Sequence, residues 1–257
     1  MHLFAVVVLA VIQGLTEFLP VSSKTHLLFA RYFLGMKVDL FFDVTLHVGS
    51  LLAILVYYRR AWLDLLGARR GEIGRLVLGS IPIVLAGFLL RKQIKPYYEN
   101  LLLASGMLLV TAAWLFLSER FGREKHGLLE APAWKILLVG LAQACAILPG
   151  ISRSGATLGM ATLCGIKRTE AVRFSFFLGA IAISGAAVLM TREALASKDP
   201  VPLLPIVMGI AVAFGVSLGA IRVVELLSRK GRIFLFAIYC AMAGIAGLIT
   251  FGRDGRG

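Results

Sequence analysis

Charge is scarce in this chain, and negative charge scarcest of all. Asp, Glu, Lys and Arg make up 16% of the 257 residues and apolar residues 59%, against roughly 25% and 45–50% in soluble domains. With a mean hydropathy of +0.87, too little polar surface remains to coat a soluble globule, so an integral membrane protein is expected. Ten spans of about 20 residues would take roughly 200 residues, which leaves short loops and no room for a soluble domain. The apolar runs are continuous rather than alternating, which disfavours an outer-membrane barrel. The three cysteines, Cys145, Cys164 and Cys240, sit inside apolar segments without metal-like spacing. That pattern excludes a disulfide framework and suits small core hydrophobes. The first residues, Met1-His2-Leu3, lack a basic stretch, so no cleaved signal peptide is expected.

What charge there is leans positive, with 27 Lys and Arg against 14 Asp and Glu, a net +13. Nucleic acid is not the partner this implies. The cations fall in pairs between apolar runs, as at Arg59-Arg60, Arg69-Arg70 and Arg229-Lys230, the pattern of loops that meet anionic lipid headgroups.

Ten apolar segments can be marked, at about 3–19, 21–34, 41–58, 76–90, 101–117, 134–148, 151–165, 174–190, 203–221 and 233–251. Two junctions have no loop long enough to leave the membrane. One is Leu19-Pro20-Val21-Ser22-Ser23 and the other Leu148-Pro149-Gly150-Ile151-Ser152-Arg153-Ser154, each a Leu-Pro followed by serines, with Gln13 and Gln143 upstream. The chain therefore resolves into a single membrane domain over 1–257, with two five-segment repeats at about 1–120 and 130–251. Each repeat opens with a proline-broken helix pair. If each pair is re-entrant, a half crosses the membrane three times, and the odd number inverts the second half. The fold class expected is an all-α polytopic protein of two inverted-topology repeats, each a broken-helix pair plus three transmembrane helices. On this layout the loops around 59–75, 120–135, 167–173 and 229–232 gather fifteen Lys and Arg, and the opposite side gathers eight. The fifteen-residue side should be cytoplasmic, which leaves both termini and the first hairpin's base on the outer face.

A charge near the bilayer centre costs at least ~2.5–3.5 kcal/mol on insertion scales. Glu17 lies one turn before Pro20, and Lys24 and His26 follow the break beside Ser22, Ser23 and Thr25. Arg153 occupies the matching break, flanked by Ser152, Ser154 and Thr157. If the two breaks meet, a carboxylate, an imidazole, two cations and several hydroxyls converge. Backbone N–H groups freed at Pro20 and at Pro149-Gly150 would add donors. Cations and N–H groups suit phosphate oxygens, and a carboxylate with a histidine can move protons. Plainer roles compete: Glu17 as a helix cap, and Arg153 as structural glue to Glu17. His26 alone is a weak signal, because His47 lies equally deep. Arg222 and Glu225, three apart at a helix end, suggest a local ion pair, and Phe174–Phe177 suggests packing or a lipid-facing surface.

These residues carry a resemblance. Gln13-Gly-Leu-Thr-Glu17-Phe-Leu-Pro-Val-Ser-Ser23 resembles the (E/Q)xxxE signature of the undecaprenyl pyrophosphate phosphatase family, also called bacitracin-resistance proteins. Pro149-Gly-Ile-Ser-Arg-Ser-Gly-Ala-Thr157 is similar to that family's PGxSRSxxT motif. Phe41-Phe-Asp-Val with His47-Val-Gly-Ser-Leu-Leu-Ala, Arg173-Phe-Ser-Phe and Phe236-Ala-Ile-Tyr239 match as well, so the likeness runs from about residue 10 to 240.

The resemblance implies a bacterial cytoplasmic-membrane enzyme that hydrolyses a C55 isoprenyl diphosphate to the monophosphate carrier of peptidoglycan synthesis. Carried over, Glu17 and His26 are the acid–base pair, and Arg153 stabilises the diphosphate. Ser23 is nucleophile or phosphate ligand. Gln13, Ser22, Lys24, Thr25, Gly150, Ser152, Ser154 and Thr157 stand as substrate-binding candidates. A divalent cation, Mg²⁺ or Ca²⁺, is implied, with Glu17 its candidate ligand. Partners are the polyprenyl diphosphate and membrane lipids, with a homodimer left open. Two positions depart from the family: Lys24-Thr25 stands where Thr-Gly is usual, and Cys240 where an arginine is. A phosphatidic-acid-type phosphatase would need a histidine soon after Ser-Arg, and residues 154–165 hold none. A rhomboid-like protease would find only a weak Gly150-Ile-Ser152 match. The rival from another class is a transporter or flippase of a polyprenyl phosphate, which needs cations but no acid–base pair.

Overall fold

The computed structural model describes residues 2–37, 40–196 and 203–253. They form α1 (Leu3–Thr16), α2 (Ser23–Phe33), α3 (Leu40–Tyr57), α4 (Arg59–Asp64), α5 (Gly71–Ile94), α6 (Leu101–Phe121), α7 (Ala133–Cys145), α8 (Arg153–Leu163), α9 (Arg168–Ala196), α10 (Leu203–Arg229) and α11 (Phe234–Arg253). The all-α polytopic expectation holds. Helices α5, α6, α9, α10 and α11 are each long and apolar enough to cross a membrane. At 18 residues α3 spans about 27 Å, just under a ~30 Å hydrocarbon core. The short α4 was not legible in the sequence, where its Arg59-Arg60 pair read as loop.

Packing partners exchange when the two halves exchange. α1 lies on α10, and α7, its counterpart, lies on α5; α3 meets α9, and α6 meets α11. Loop contacts sort into two sides. Arg75 donates to Leu129 O at 2.9 Å, Arg168 pairs with Glu119 at 2.9 Å, and Lys135 donates to Cys164 O at 2.7 Å. These join the 59–75, 119–135 and 164–173 loops, the grouping expected from charge. At the other end Arg31 pairs with Asp43, and Tyr32 and Phe33 pack on Phe251. Lys198 and Arg256, counted with this second side, lie outside the described residues.

Two sequence expectations need correction. Cys164 and Cys240 are buried, but Cys145 is exposed on the helix surface, because it falls on the face of α7 opposite the buried Val139 and Gln143. Glu225 serves the tyrosines rather than Arg222: it accepts from Tyr57 at 2.8 Å and Tyr58 at 2.6 Å, tying α10 to the end of α3. Phe174, Phe176 and Phe177 pack in the core as expected, with Phe176 edge-on to Phe18 at 5.2 Å and Phe177 stacked on Trp62 at 3.9 Å.

In a bilayer, helices gain little from burying apolar surface against one another, so close backbone approach matters. Gly14 of α1 is one such place, where a Cβ would sit 2.8 Å from Ala213 O and 2.9 Å from Val216 Cβ. Gly14→Val should therefore wedge α1 off α10 at a cost of about 1–3 kcal/mol. A lowered thermal midpoint of the detergent-solubilised protein would show it, and an unchanged midpoint would mean the helices part freely.

Candidate active site

Both apolar hairpins break where proline forbids the helix to continue, since Pro20 and Pro149 lack the N–H that the next turn needs. The chain turns by a left-handed residue in each case, Ser22 at φ 69° and Gly150 at φ 93°. At Gly150 no other residue fits, because a Cβ would also strike Met107 and the carbonyl of Ala104 on α6. At Ser22 the strain falls on an L-residue, a feature often held at functional sites. Thr25 lies inside α2 in helical conformation, so the turn is tighter and more helical than a glycine at that position would require. Irregular backbone at membrane depth survives only when buried in protein. Here the second break and α11 cover the first: Ser154 donates to Leu19 O at 3.2 Å, and Cys240 of α11 lies 3.6 Å from Pro20 O.

Glu17 sits at this meeting point, 6% exposed. Its Oε1 accepts from Arg153 Nη2 at 2.5 Å. Its Oε2 accepts from Ser23 Oγ at 2.6 Å and from Gln13 Nε2 at 2.9 Å, and lies 3.3 Å from His47 Nε2. Arg153 Nη1 has no protein partner. The geometry thus pairs an ionisable acceptor with a hydroxyl, and leaves a guanidinium donor over.

The histidine expected beside Glu17 is elsewhere. His26 Nδ1 lies 2.8 Å from Ser22 O, its Nε2 2.7 Å from Tyr239 OH, and the two rings stack. A carbonyl can only accept, so Nδ1 carries the hydrogen, and in the neutral ring Nε2 accepts from the tyrosine. The imidazole that touches Glu17 is His47 of α3. The reason is azimuth: His26, one turn into α2, points outward to α11, while α3 presents His47 inward.

The remaining candidates divide. Ser23 and Arg153 are partly open, and Lys24 is exposed with its ammonium 5.3 Å from the centre of the Tyr98 ring. Ser22 and Thr25 are buried and share a hydrogen bond of 3.1 Å. Ser152 caps α8, accepting from Gly155 N at 3.1 Å. Thr157 is fully buried and lies 2.5 Å from Ser175 of α9. Gly150 accepts from Thr111 at 2.8 Å. In this structure Gly150, Ser152 and Thr157 shape and hold the second break rather than face an open pocket.

The donors around Glu17 form no closed protein cage for a resident divalent cation. Both carboxylate oxygens are taken by N–H and O–H donors, and of the signature's other side-chain oxygens Gln13 Oε1 is the one without a partner. No cluster of three His, Cys, Asp or Glu occurs among the described residues, so the chain supplies no all-protein cage of the kind that Ca²⁺ takes.

With this geometry in place, similarity to known proteins is informative. The family model for bacitracin resistance protein BacA matches residues 6–246. The chain belongs to the BacA family. It is 38% identical to the undecaprenyl-diphosphatase of Rhodopirellula baltica, over 95% of this chain and 96% of the relative. It is 36% identical to that of Desulfosudis oleivorans, over 93% and 94%, and 35% identical to that of Halothermothrix orenii, over 98% and 99%.

Two site residues escaped sequence reasoning. His47 was seen as deep but not as Glu17's neighbour. Gly179 of α9 carried no signal at all, yet the Arg153 guanidinium lies directly against it, where any Cβ would collide. Gly179→Ala should push the guanidinium off Glu17 while leaving the helix itself intact. The expected result is a loss of turnover of about tenfold or more, since one misplaced transition-state donor is worth ~2.7–4 kcal/mol. An alanine variant with wild-type turnover would show that Arg153 works from another position.

Proposed function

We propose that the protein removes the terminal phosphate of undecaprenyl (C55) diphosphate, giving undecaprenyl phosphate and inorganic phosphate. The observation that carries this is the 2.6 Å hydrogen bond from Ser23 Oγ to Glu17 Oε2, with Arg153 on the other oxygen. A carrier of phosphate needs cations; it has no use for a carboxylate poised to take a proton from a serine. The relatives named undecaprenyl-diphosphatase support the same substrate.

Ser23 Oγ attacks the terminal phosphorus as its proton passes to Glu17, and the bond to the bridging oxygen breaks, releasing the lipid monophosphate. Water then cleaves the serine–phosphate bond. One water proton restores the serine hydroxyl, and the other leaves with the phosphate together with the proton from Glu17. The unpartnered Nη1 of Arg153 is the donor for charge that grows on the phosphoryl oxygens. Lys24, exposed beside the break, supplies a second cation. His26, once protonated at Nε2 as well, can exchange Tyr239 for an oxygen of the departing lipid phosphate and donate to it.

The two halves are inverted repeats in this proposal, supported by the exchange of packing partners and by the sorting of loops onto two sides. The side holding residues 59–75 faces the cytoplasm, and the first hairpin opens outward, where a spent carrier lipid would present its diphosphate. The lipid monophosphate then returns to peptidoglycan synthesis, and dephosphorylation in this way fits the bacitracin resistance of the family.

Purified protein in detergent should release inorganic phosphate from C55 diphosphate. Arg153→Ala should slow release about a hundred- to thousandfold while still eluting as a folded species, because Gln13, Ser23 and His47 remain on Glu17. Movement of the lipid across vesicles without phosphate release would assign transport instead. Orientation is checked separately: a cysteine at Glu99 should react with an impermeant maleimide on intact cells, and one at Ala68 should not. The opposite pattern would place the site on the cytoplasmic face.

A further inference from the structure

We propose that His47 is a positioning residue for this hydrolysis: its ring holds Glu17 Oε2 against Ser23. The inference rests on the hydrolytic function above and adds a residue to it.

The ring's protonation is constrained from both ends. Nδ1 lies 2.7 Å from the backbone carbonyl of Asp43, one turn earlier in α3. A carbonyl accepts only, so Nδ1 bears a hydrogen. Nε2 faces a carboxylate oxygen at 3.3 Å, an attractive contact only if one hydrogen lies between them. His47 and Glu17 therefore share a proton across this gap, whichever atom bears it. His26 cannot substitute, since its two nitrogens are taken by Ser22 O and Tyr239 OH.

The ring is held in place from several directions. The carboxylate of Asp43 is paired with Arg31, itself 2% exposed, which locks the start of α3 to α2, the helix that begins at Ser23. On the next turn of α3, Ser50 accepts from Ser217 of α10 at 3.1 Å. Gly49 lets α10 approach so closely that a Cβ would sit 2.6 Å from Ile210 O. Glu17 and Asp43 are the charged groups that act on the ring, and α10 holds the helix that carries it through Ile210 and Ala213 at Gly49 and Ser217 at Ser50.

Oε2 thus faces three donors, Ser23 at 2.6 Å, Gln13 at 2.9 Å and His47 at 3.3 Å. An oxygen that takes the serine proton must release one of them. His47, the longest contact, is the one placed to yield, while Gln13 keeps the carboxylate in line. Without His47 the carboxylate is free to rotate toward Arg153 and away from the hydroxyl.

The test compares His47→Phe, which keeps the ring and loses both hydrogen bonds, with His47→Gln, whose amide N–H can reach Glu17 from nearly the same place. Phosphate release from C55 diphosphate and thermal midpoint are measured for each in detergent. For His47→Phe, kcat should fall about ten- to a hundredfold with KM within about twofold. His47→Gln should recover most of kcat. A phenylalanine variant with more than half of wild-type kcat would overturn the inference. So would a loss that lies in KM, or a glutamine variant as slow as the phenylalanine one with an equally lowered midpoint. Wild-type protein that releases no phosphate would instead overturn the hydrolytic function, so the two failures are distinct.

Discussion

The architecture is organised around the burial of one carboxylate. An ionised Glu17 away from water is tolerable only if donors surround it, because an uncompensated buried charge costs several kcal/mol. Those donors come from four separate stretches of chain: Gln13 on α1, Ser23 on α2, His47 on α3 and Arg153 on α8. Gln13 reaches the carboxylate within one helical turn and Ser23 across the break, whereas His47 and Arg153 reach it only through packing. The proline breaks, the small residues that let α10 close on α1 and α3, and the glycine that makes room for the guanidinium all serve to bring these groups within reach of the same two oxygens.

The two breaks resemble one another in sequence but divide the labour. The second is built for fit: Gly150 wedges against α6, Ser152 caps α8, and Thr157 bonds across to α9. It contributes one reactive group, Arg153. The first carries the acceptor, the hydroxyl and the exposed lysine, and it holds its left-handed turn on a serine. A rigid half that aims a cation and a strained half that carries a hydroxyl on a carboxylate suit phosphoryl transfer, in which positioning and charge do most of the work.

Much of this was legible in the sequence because its signals are local. Proline inside an apolar run, a glutamate one turn before it and an arginine in the matching break need no tertiary information to be noticed. They gave the all-α class, the two hairpins and the encounter of Glu17 with Arg153, 136 residues apart. What was not legible depends on helix azimuth. Two histidines of similar depth, His26 and His47, are indistinguishable until packing shows which face of α2 and α3 turns inward. The serines and threonine of the second motif looked like a phosphate cradle because hydroxyls are alike in sequence; only the structure shows which are spent on carbonyls and caps. Gly179 could not be found at all, since its role is the absence of a side chain.

The distance between Glu17 and Arg153 along the chain has a consequence for biogenesis. The carboxylate is synthesised first, and its guanidinium partner emerges only after six more helices have been made. Until then the first hairpin holds an acid at membrane depth with Gln13, Ser23 and the exposed Lys24 as its nearest company, and its most stable place is near water or headgroups rather than in the core. Deep insertion of the first hairpin is thus coupled to arrival of the second. The second hairpin is a cover that arrives last: a chain truncated before residue 153 lacks both the guanidinium on Glu17 and the hydroxyl that meets Leu19 O.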